Sequence, residues 1–232
     1  MKQLTRENNF YYLCVALVTI LFSSALARQF PGTWGEDLFT LLIVAMLLLS
    51  IKSLDPTLTW RRMVYGLMGV LLVMTVINHF HESTFFDYLT LGLLMAYFYG
   101  ALRSAAAQIL FVGKVDTNKI VGSVSLYLLL GLIWTMLYLA LLTFDPAALS
   151  GLEFENWRQA FPRVAYYSFV TLTTLGYGDI LPKSHLAQFF AYMEAVTGVF
   201  YMAIVVASLV SIGLMERPRK PSPESKNGPK DR

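Results

Sequence analysis

The sequence predicts an all-α integral membrane protein with six transmembrane helices and a re-entrant segment between the fifth and the sixth. Of its 232 residues, 56% are hydrophobic and only 14% are charged, whereas soluble domains carry about a quarter charged residues. The mean hydropathy is +0.55. This composition is typical of a chain that spans a membrane several times, and the distribution of its apolar stretches and basic residues supports that class.

Six apolar stretches are the predicted spans. A helix needs about 20 residues to cross a bilayer, so the second and third stretches are short, and the charges of the neighbouring loops support them. The predicted spans are Phe10–Ala27, Leu38–Ile51, Met63–Ile77, Phe85–Leu102, Ile120–Phe144 and Leu186–Met215.

Basic residues predict the orientation. If the N-terminus is cytoplasmic and all six stretches span, fourteen Lys and Arg residues lie inside and four outside, as the positive-inside rule requires. Both termini are then cytoplasmic. The first stretch resembles a signal peptide, but its apolar run of 18 residues favours an uncleaved helix. The chain has no N-x-S/T acceptor site, which favours a cell membrane without N-glycosylation, such as the bacterial inner membrane.

The segment before the sixth stretch is too short to span. A predicted helix begins at Pro162, since proline suits a first turn, and runs to about Thr173. Polar residues flank the segment on both sides, so it must enter and leave by the same face. The sequence TLTTLGYGD follows from Thr171. Gly176 and Gly178 allow successive carbonyls to point the same way, and a ring of such carbonyls from several copies can replace the water shell of a cation.

The motif TTLGYGD resembles the selectivity-filter signature of potassium channels, whose usual core reads Thr-Val-Gly-Tyr-Gly. The resemblance covers an outer helix, a pore helix, the filter and an inner helix, from about Ile120 to Met215. It implies a homotetramer that conducts K⁺ as the permeant ion, with no cofactor. It also implies that K⁺ is bound by the backbone carbonyls of Thr174, Leu175, Gly176 and Tyr177, with the outermost turn at Gly178.

The same resemblance implies residues that support the filter and line the pathway. The supporting residues are Thr173, Asp179, Tyr166, Tyr167 and Glu194, with the two tyrosines in place of a tryptophan pair. For Glu194 the argument is its depth: it is the only carboxylate well inside the sixth stretch, and an ionisable group there needs a partner. We expect it to accept a hydrogen bond from Ser168, Thr171 or Tyr167; a position at the outer interface is the alternative. The predicted hinge and pore lining are Gly198, Val199, Met202, Val206 and Val210; packing of the last four on the fifth helix is the alternative.

The predicted domains are a four-helix peripheral membrane domain (1–115), the pore domain (116–215) and a disordered cytoplasmic tail (216–232). The fourth helix carries one arginine, Arg103, whereas voltage-gated relatives of this layout carry several. Because steep voltage sensing needs several charges, the prediction is a pore with weak voltage dependence or none. Membrane lipids are expected partners, and nucleic acid is not.

A second function remains open. A non-conducting polytopic sensor or regulatory subunit derived from a channel would share the helices and the topology. The complete filter motif favours conduction, because a chain that had lost conduction would have no reason to keep both glycines and the threonine pair. An enzyme is not predicted, since the sequence has no zinc-ligand helix, nucleophile elbow or phosphate loop.

Overall fold

The computed structural model describes residues 9–27, 42–47, 58–80, 84–111 and 117–207. The predicted tail at 216–232, the pore-lining position Val210, the side chain of Val206 and most of the second apolar stretch lie outside these described residues.

The described chain is mostly helical. The seven α-helices are α1 (Asn9–Ala27), α2 (42–47), α3 (Leu58–Phe80), α4 (Thr84–Phe111), α5 (Thr117–Phe144), α6 (Trp157–Leu172) and α7 (His185–Phe200). A π-helical segment, Tyr201–Val206, continues α7. Two short antiparallel strands, β1 (Leu149–Ser150) and β2 (Leu181–Pro182), flank α6 and the loop that follows it.

Three of the described helices are long and apolar enough to cross a membrane. Their spans are Phe85–Ile109, Asn118–Phe144 and His185–Ile204, and they coincide with the predicted fourth, fifth and sixth stretches. The first and third stretches are helical too, but their apolar segments are shorter, at Phe10–Leu26 and Val64–Met74. The protein is therefore a membrane protein with three candidate spans among the described residues, and six spans remain a prediction.

Helix α5 lies at the centre of the packing. It packs against α1, α4, α6 and α7. Its fully buried side chains include Leu129, Leu132, Met136, Leu139 and Leu142. Close packing of this kind holds helices together where lipid offers no hydrophobic driving force. Through α5, the first helices and α6 share one core.

The predicted start of the short helix at Pro162 is wrong. Helix α6 begins five residues earlier, at Trp157, and Pro162 lies inside it. The side chain of Asn156 accepts a hydrogen bond from the Gln159 amide at 2.9 Å. An asparagine cap satisfies one of the amides that a helix N-terminus leaves unpaired, which allows the helix to start at Trp157.

Gly151 allows the loop after β1 to approach the loop after α6. Its φ is +87°, and a Cβ at this position would lie 1.9 Å from the carbonyl oxygen of Asp179. Beside this contact, Leu149 pairs with Pro182 and Ser150 with Leu181. The segments before and after α6 are therefore joined next to the GYG sequence.

Candidate functional site

The loop after α6 is tied back to the end of that helix by its amides. The Thr173 amide donates to the Phe169 carbonyl at 3.0 Å. The Leu175 and Gly176 amides both donate to the Val170 carbonyl, at 2.9 Å and 3.3 Å. Because these three amides donate to carbonyls of α6, the position of the loop depends directly on the position of that helix.

Every second residue of this loop has a left-handed backbone. The φ angles are +58° at Thr174, +58° at Gly176 and +79° at Gly178. The glycines adopt this conformation without steric cost, whereas a non-glycine residue there costs on the order of 1–3 kcal/mol. Positive and negative φ therefore alternate from Thr174 to Gly178, a pattern that allows successive carbonyls to point toward one side. Thr174 extends the pattern that the sequence predicted from the glycines alone.

The carbonyls of this loop have no protein donor within the part of the chain that is described. None of the carbonyls of residues 174–178 accepts a hydrogen bond there. The loop is exposed, with Leu175 at 55% and Tyr177 at 66% of their full accessibility. The C-terminal, electronegative end of α6 points into the loop, which favours a cation. A row of unpaired oxygens next to a helix C-terminus is suited to binding a cation without its water shell.

Tyr166 braces the outer end of the loop. Its hydroxyl donates to Asp179 Oδ1 at 3.1 Å, and its ring stacks on that of Tyr177, with centroids 6.4 Å apart and an interplanar angle of 6°. Arg163 Nη2 lies 4.0 Å from Asp179 Oδ2. Because the ordinary pKa of a phenol is about 10, this hydroxyl is a donor at neutral pH.

Tyr167 does not reach the loop in the same way. Its ring packs edge-on against Tyr138 at a centroid distance of 5.0 Å. Its buried hydroxyl has no hydrogen-bond partner among the described residues, and its predicted support of the filter stays a prediction. Consecutive residues of a helix point in different directions, so Tyr167 faces α5 while Tyr166 faces the loop.

Glu194 of α7 contacts side chains of α5 and α6. The side chain is 0% exposed. Ser168 Oγ of α6 lies 2.6 Å from Glu194 Oε1, and the Tyr138 hydroxyl of α5 donates to Oε2 at 2.9 Å. Of the three donors expected from the sequence, Ser168 makes the contact. Ser168 Oγ also lies 2.8 Å from the Gly131 carbonyl.

Sequence reasoning missed Tyr138 as a partner of Glu194. The available signal was a phenol in the middle of an apolar helix, because a buried tyrosine hydroxyl usually has a partner. Nothing in the local sequence of α5 identified that partner. The contacts of Asp87 on α4 with the beginning of α6 were missed as well.

Gly198 lies where α7 crosses the end of α6. A Cβ on this residue would lie 1.9 Å from the Leu172 carbonyl oxygen. The Tyr127 hydroxyl of α5 donates to the same carbonyl at 3.2 Å. The structure therefore gives Gly198 a packing role, since only a residue without a side chain permits this approach. Its predicted role as a hinge remains a prediction.

The predicted pore-lining residues are only partly described. Val199 and Met202 are both 56% exposed, so they do not pack into this chain's own core. The π-helical segment Tyr201–Val206 interrupts the α-helical spacing from which the stripe was predicted. Within it, Tyr201 turns toward α5 and its hydroxyl donates to the Ser123 carbonyl.

Comparison with known proteins agrees with this geometry. Residues 122–214, about two fifths of the chain, match a family model described as "Ion channel". The matched segment contains most of α5, the whole of α6, the loop and α7, so the helices that build the site lie in the part of the chain that is similar to ion channels.

The curated relatives that match part of the chain are potassium channels. The A-type voltage-gated potassium channel KCND3 of Rattus norvegicus and that of Homo sapiens are each 40% identical over 50 residues, which cover 22% of this chain. The aligned residues cover 8% of the length of those relatives. No solved structure gives a significant match. The family match and this similarity together support a potassium channel family for the chain.

Proposed function

We propose that the protein is a potassium-selective channel that conducts K⁺ through the central pore of a homotetramer. In this proposal α5 is the outer helix, α6 the pore helix, residues 174–178 the selectivity filter and α7 the inner helix. K⁺ is the permeant ion, and no cofactor takes part. The proposal places the protein in a cell membrane with both termini in the cytoplasm, and the bacterial inner membrane is one such location.

The observation that carries the proposal is the backbone of residues 174–178. These carbonyls are exposed and without a protein donor, and left-handed residues alternate along the segment. Five uncompensated carbonyls would be costly inside a membrane unless something else coordinates them. Rings of backbone carbonyls are known to replace the water shell of K⁺, so a dehydrated cation of that size is the expected ligand.

The same exposure supports assembly of several copies, and the resemblance to potassium channels implies four. One chain supplies one loop, and a ring of carbonyls requires several loops around an axis. The exposed apolar side chains Leu175 and Tyr177 need cover, and copies of the same loop and of α7 are suitable neighbours. Because Val199 and Met202 point away from the core of this chain, they are the part of α7 proposed to face the axis.

The proposed channel has weak voltage dependence or none. Arg103 is the only basic residue of α4, and its side chain is exposed. Steep voltage gating needs several charges that move through the membrane field. The similarity to a voltage-gated channel covers only 50 residues, so it provides no argument for a voltage sensor in the first four helices.

Current through the purified full-length chain in planar bilayers tests the proposal. With K⁺ on one side and Na⁺ on the other, the reversal potential should approach the K⁺ equilibrium potential. Gly178→Asp is the matched control, because an aspartate at φ +79° is strained and adds a charge at the filter mouth. Reversal near zero would indicate a channel that does not select K⁺ over Na⁺ and would contradict the proposed selectivity. A wild-type current no larger than that of the control would contradict conduction and favour the non-conducting sensor or regulatory subunit.

A further inference from the structure

The outer end of α4 contacts the first two residues of α6 through Asp87. Trp157 Nε1 donates to Asp87 Oδ1 at 2.9 Å. Arg158 Nη1 lies 3.9 Å from the same oxygen, and the guanidinium carbon lies 4.8 Å from the centroid of the Trp157 ring. The contact therefore combines a charge-assisted hydrogen bond, an ion pair and a cation–π interaction.

This contact is shielded from solvent. Trp157 is 3% exposed, and the side chains of Arg158 and Asp87 are 12% and 24% exposed. Partly buried charges are screened less than surface charges. Asp87 also lies in the first turn of α4, where a negative charge is favourable, and its contacts at the N-terminus of α6 add to that effect. A shielded contact of this kind can hold the end of a helix in place.

Helix α6 connects this contact to the loop proposed as the filter. The helix has 16 residues, which corresponds to about 24 Å at 1.5 Å per residue. At its far end the Val170 carbonyl accepts the Leu175 and Gly176 amides, and Ser168 contacts Glu194 of α7. A displacement of the Trp157 end therefore moves the residues that hold the loop.

We propose that Asp87 is a positioning residue through which the first four helices act on the filter. The inference rests on the proposed K⁺ conduction and gives the peripheral helices a role in it. A change in the position of α4 moves the N-terminal end of α6. Helix α6 transmits this movement to residues 174–178 and changes their conducting geometry. The input therefore acts at the outer side of the membrane, on the filter, and not on the cytoplasmic constriction.

Single-channel recording of full-length variants tests this coupling. Asp87→Leu removes the acceptor and the charge, and Asp87→Asn keeps an oxygen that can accept from Trp157. We expect mean open time to change by about threefold to tenfold in Asp87→Leu and by less in Asp87→Asn, with the K⁺ reversal potential unchanged. Trp157→Phe keeps the ring and removes the donor. Its effect should not add to that of Asp87→Leu, because both remove the same hydrogen bond.

Glu155→Gln is the matched control for surface charge. Glu155 is exposed and lies in the loop just before α6, so its neutralisation removes one negative charge on the same side of the membrane. Open times in Asp87→Leu equal to those of wild type, or equal to those of Glu155→Gln, would overturn the proposal. If Asp87→Leu does not assemble, unchanged open times in Trp157→Phe would overturn it instead.

Hydrogen–deuterium exchange gives a readout that does not depend on current. In Asp87→Leu, amides in the first turn of α6 and in residues 173–179 should exchange faster than in wild type, and exchange in α1 should be unchanged. Equal exchange in residues 173–179 would overturn the coupling even if the wild type conducts. A wild type that passes no K⁺ current would instead contradict the proposed function, and exchange would still decide whether Asp87 positions the loop.

Discussion

Replacement of Glu194 by valine should shorten the openings of the channel. The carboxylate accepts from Tyr138 at 2.9 Å and lies 2.6 Å from Ser168 Oγ. Ser168 has a second acceptor, the Gly131 carbonyl at 2.8 Å, so valine leaves chiefly the Tyr138 hydroxyl without a partner. An unsatisfied buried hydroxyl costs about 1–3 kcal/mol, and hydrogen bonds inside membranes fall at the lower end of such values.

The expected magnitude follows from that single lost bond. About 1–2 kcal/mol per subunit corresponds to a shift of about 5- to 30-fold between conducting and non-conducting states. Glu194→Gln should leave selectivity and open time close to wild type. The glutamine oxygen can accept from Tyr138, and its amide can donate to Ser168 while Ser168 donates to Gly131. Glutamine therefore satisfies the same network without a charge.

Single-channel recording at constant voltage, together with Tyr138→Phe, checks this reasoning. Tyr138→Phe removes the same hydrogen bond from the other side, so the double variant with Glu194→Val should show less than the sum of the two single effects. Two results would refute the assignment. One is an unchanged open time in Glu194→Val together with altered rectification or cation block, which would place the carboxylate in the ion pathway. The other is full additivity in the double variant.

Three further predictions concern packing, the filter brace and voltage. Gly198→Ala should lower the free energy of unfolding of the detergent-solubilised protein by about 1–3 kcal/mol, because a Cβ would lie 1.9 Å from the Leu172 carbonyl oxygen. Gly92→Ala is the neutral control, since a Cβ there would have no atom within 4 Å. Equal melting temperatures of the two variants would contradict the packing role. Tyr166→Phe removes the 3.1 Å hydrogen bond to Asp179 and should speed the loss of current during sustained opening by about two- to tenfold. Tyr192→Phe, on an exposed face, is the control. Equal time courses in the two variants would contradict the role of Tyr166 in supporting the loop. Open probability should change little with voltage, because α4 supplies one charge in each subunit, whereas steep gating uses about 3–4 charges in each of four subunits. A steep curve that Arg103→Gln abolishes would contradict this prediction.

The sequence was most informative where the chemistry is local. The motif from Thr171 to Asp179 contains its own conformational requirements, because glycine is favoured wherever φ is positive. Gly176 and Gly178 indeed have positive φ. The apolar stretches predicted α4, α5 and α7 as membrane-competent helices, since length and hydropathy decide that property. The Glu194 contact with Ser168 was also predictable, because a buried carboxylate on α7 needs a donor from the helix that it faces.

Other features depend on residues that are distant in the chain. Tyr138 lies 56 positions before Glu194, and Asp87 lies 70 positions before Trp157; no local pattern links either pair. The start of α6 at Trp157 depends on the side-chain cap at Asn156. The prediction of a start at Pro162 took no account of this cap.

By itself, the sequence determined that this chain is a helical membrane protein with a carbonyl-presenting loop, because composition, periodicity and glycine placement act within one segment. Only the tertiary structure decided what holds that loop. Helix packing placed the Leu172 carbonyl against Gly198, turned Tyr166 toward Asp179 and turned Tyr167 toward Tyr138. These contacts depend on how α5, α6 and α7 cross, and crossing geometry arises from the packing of whole helix surfaces.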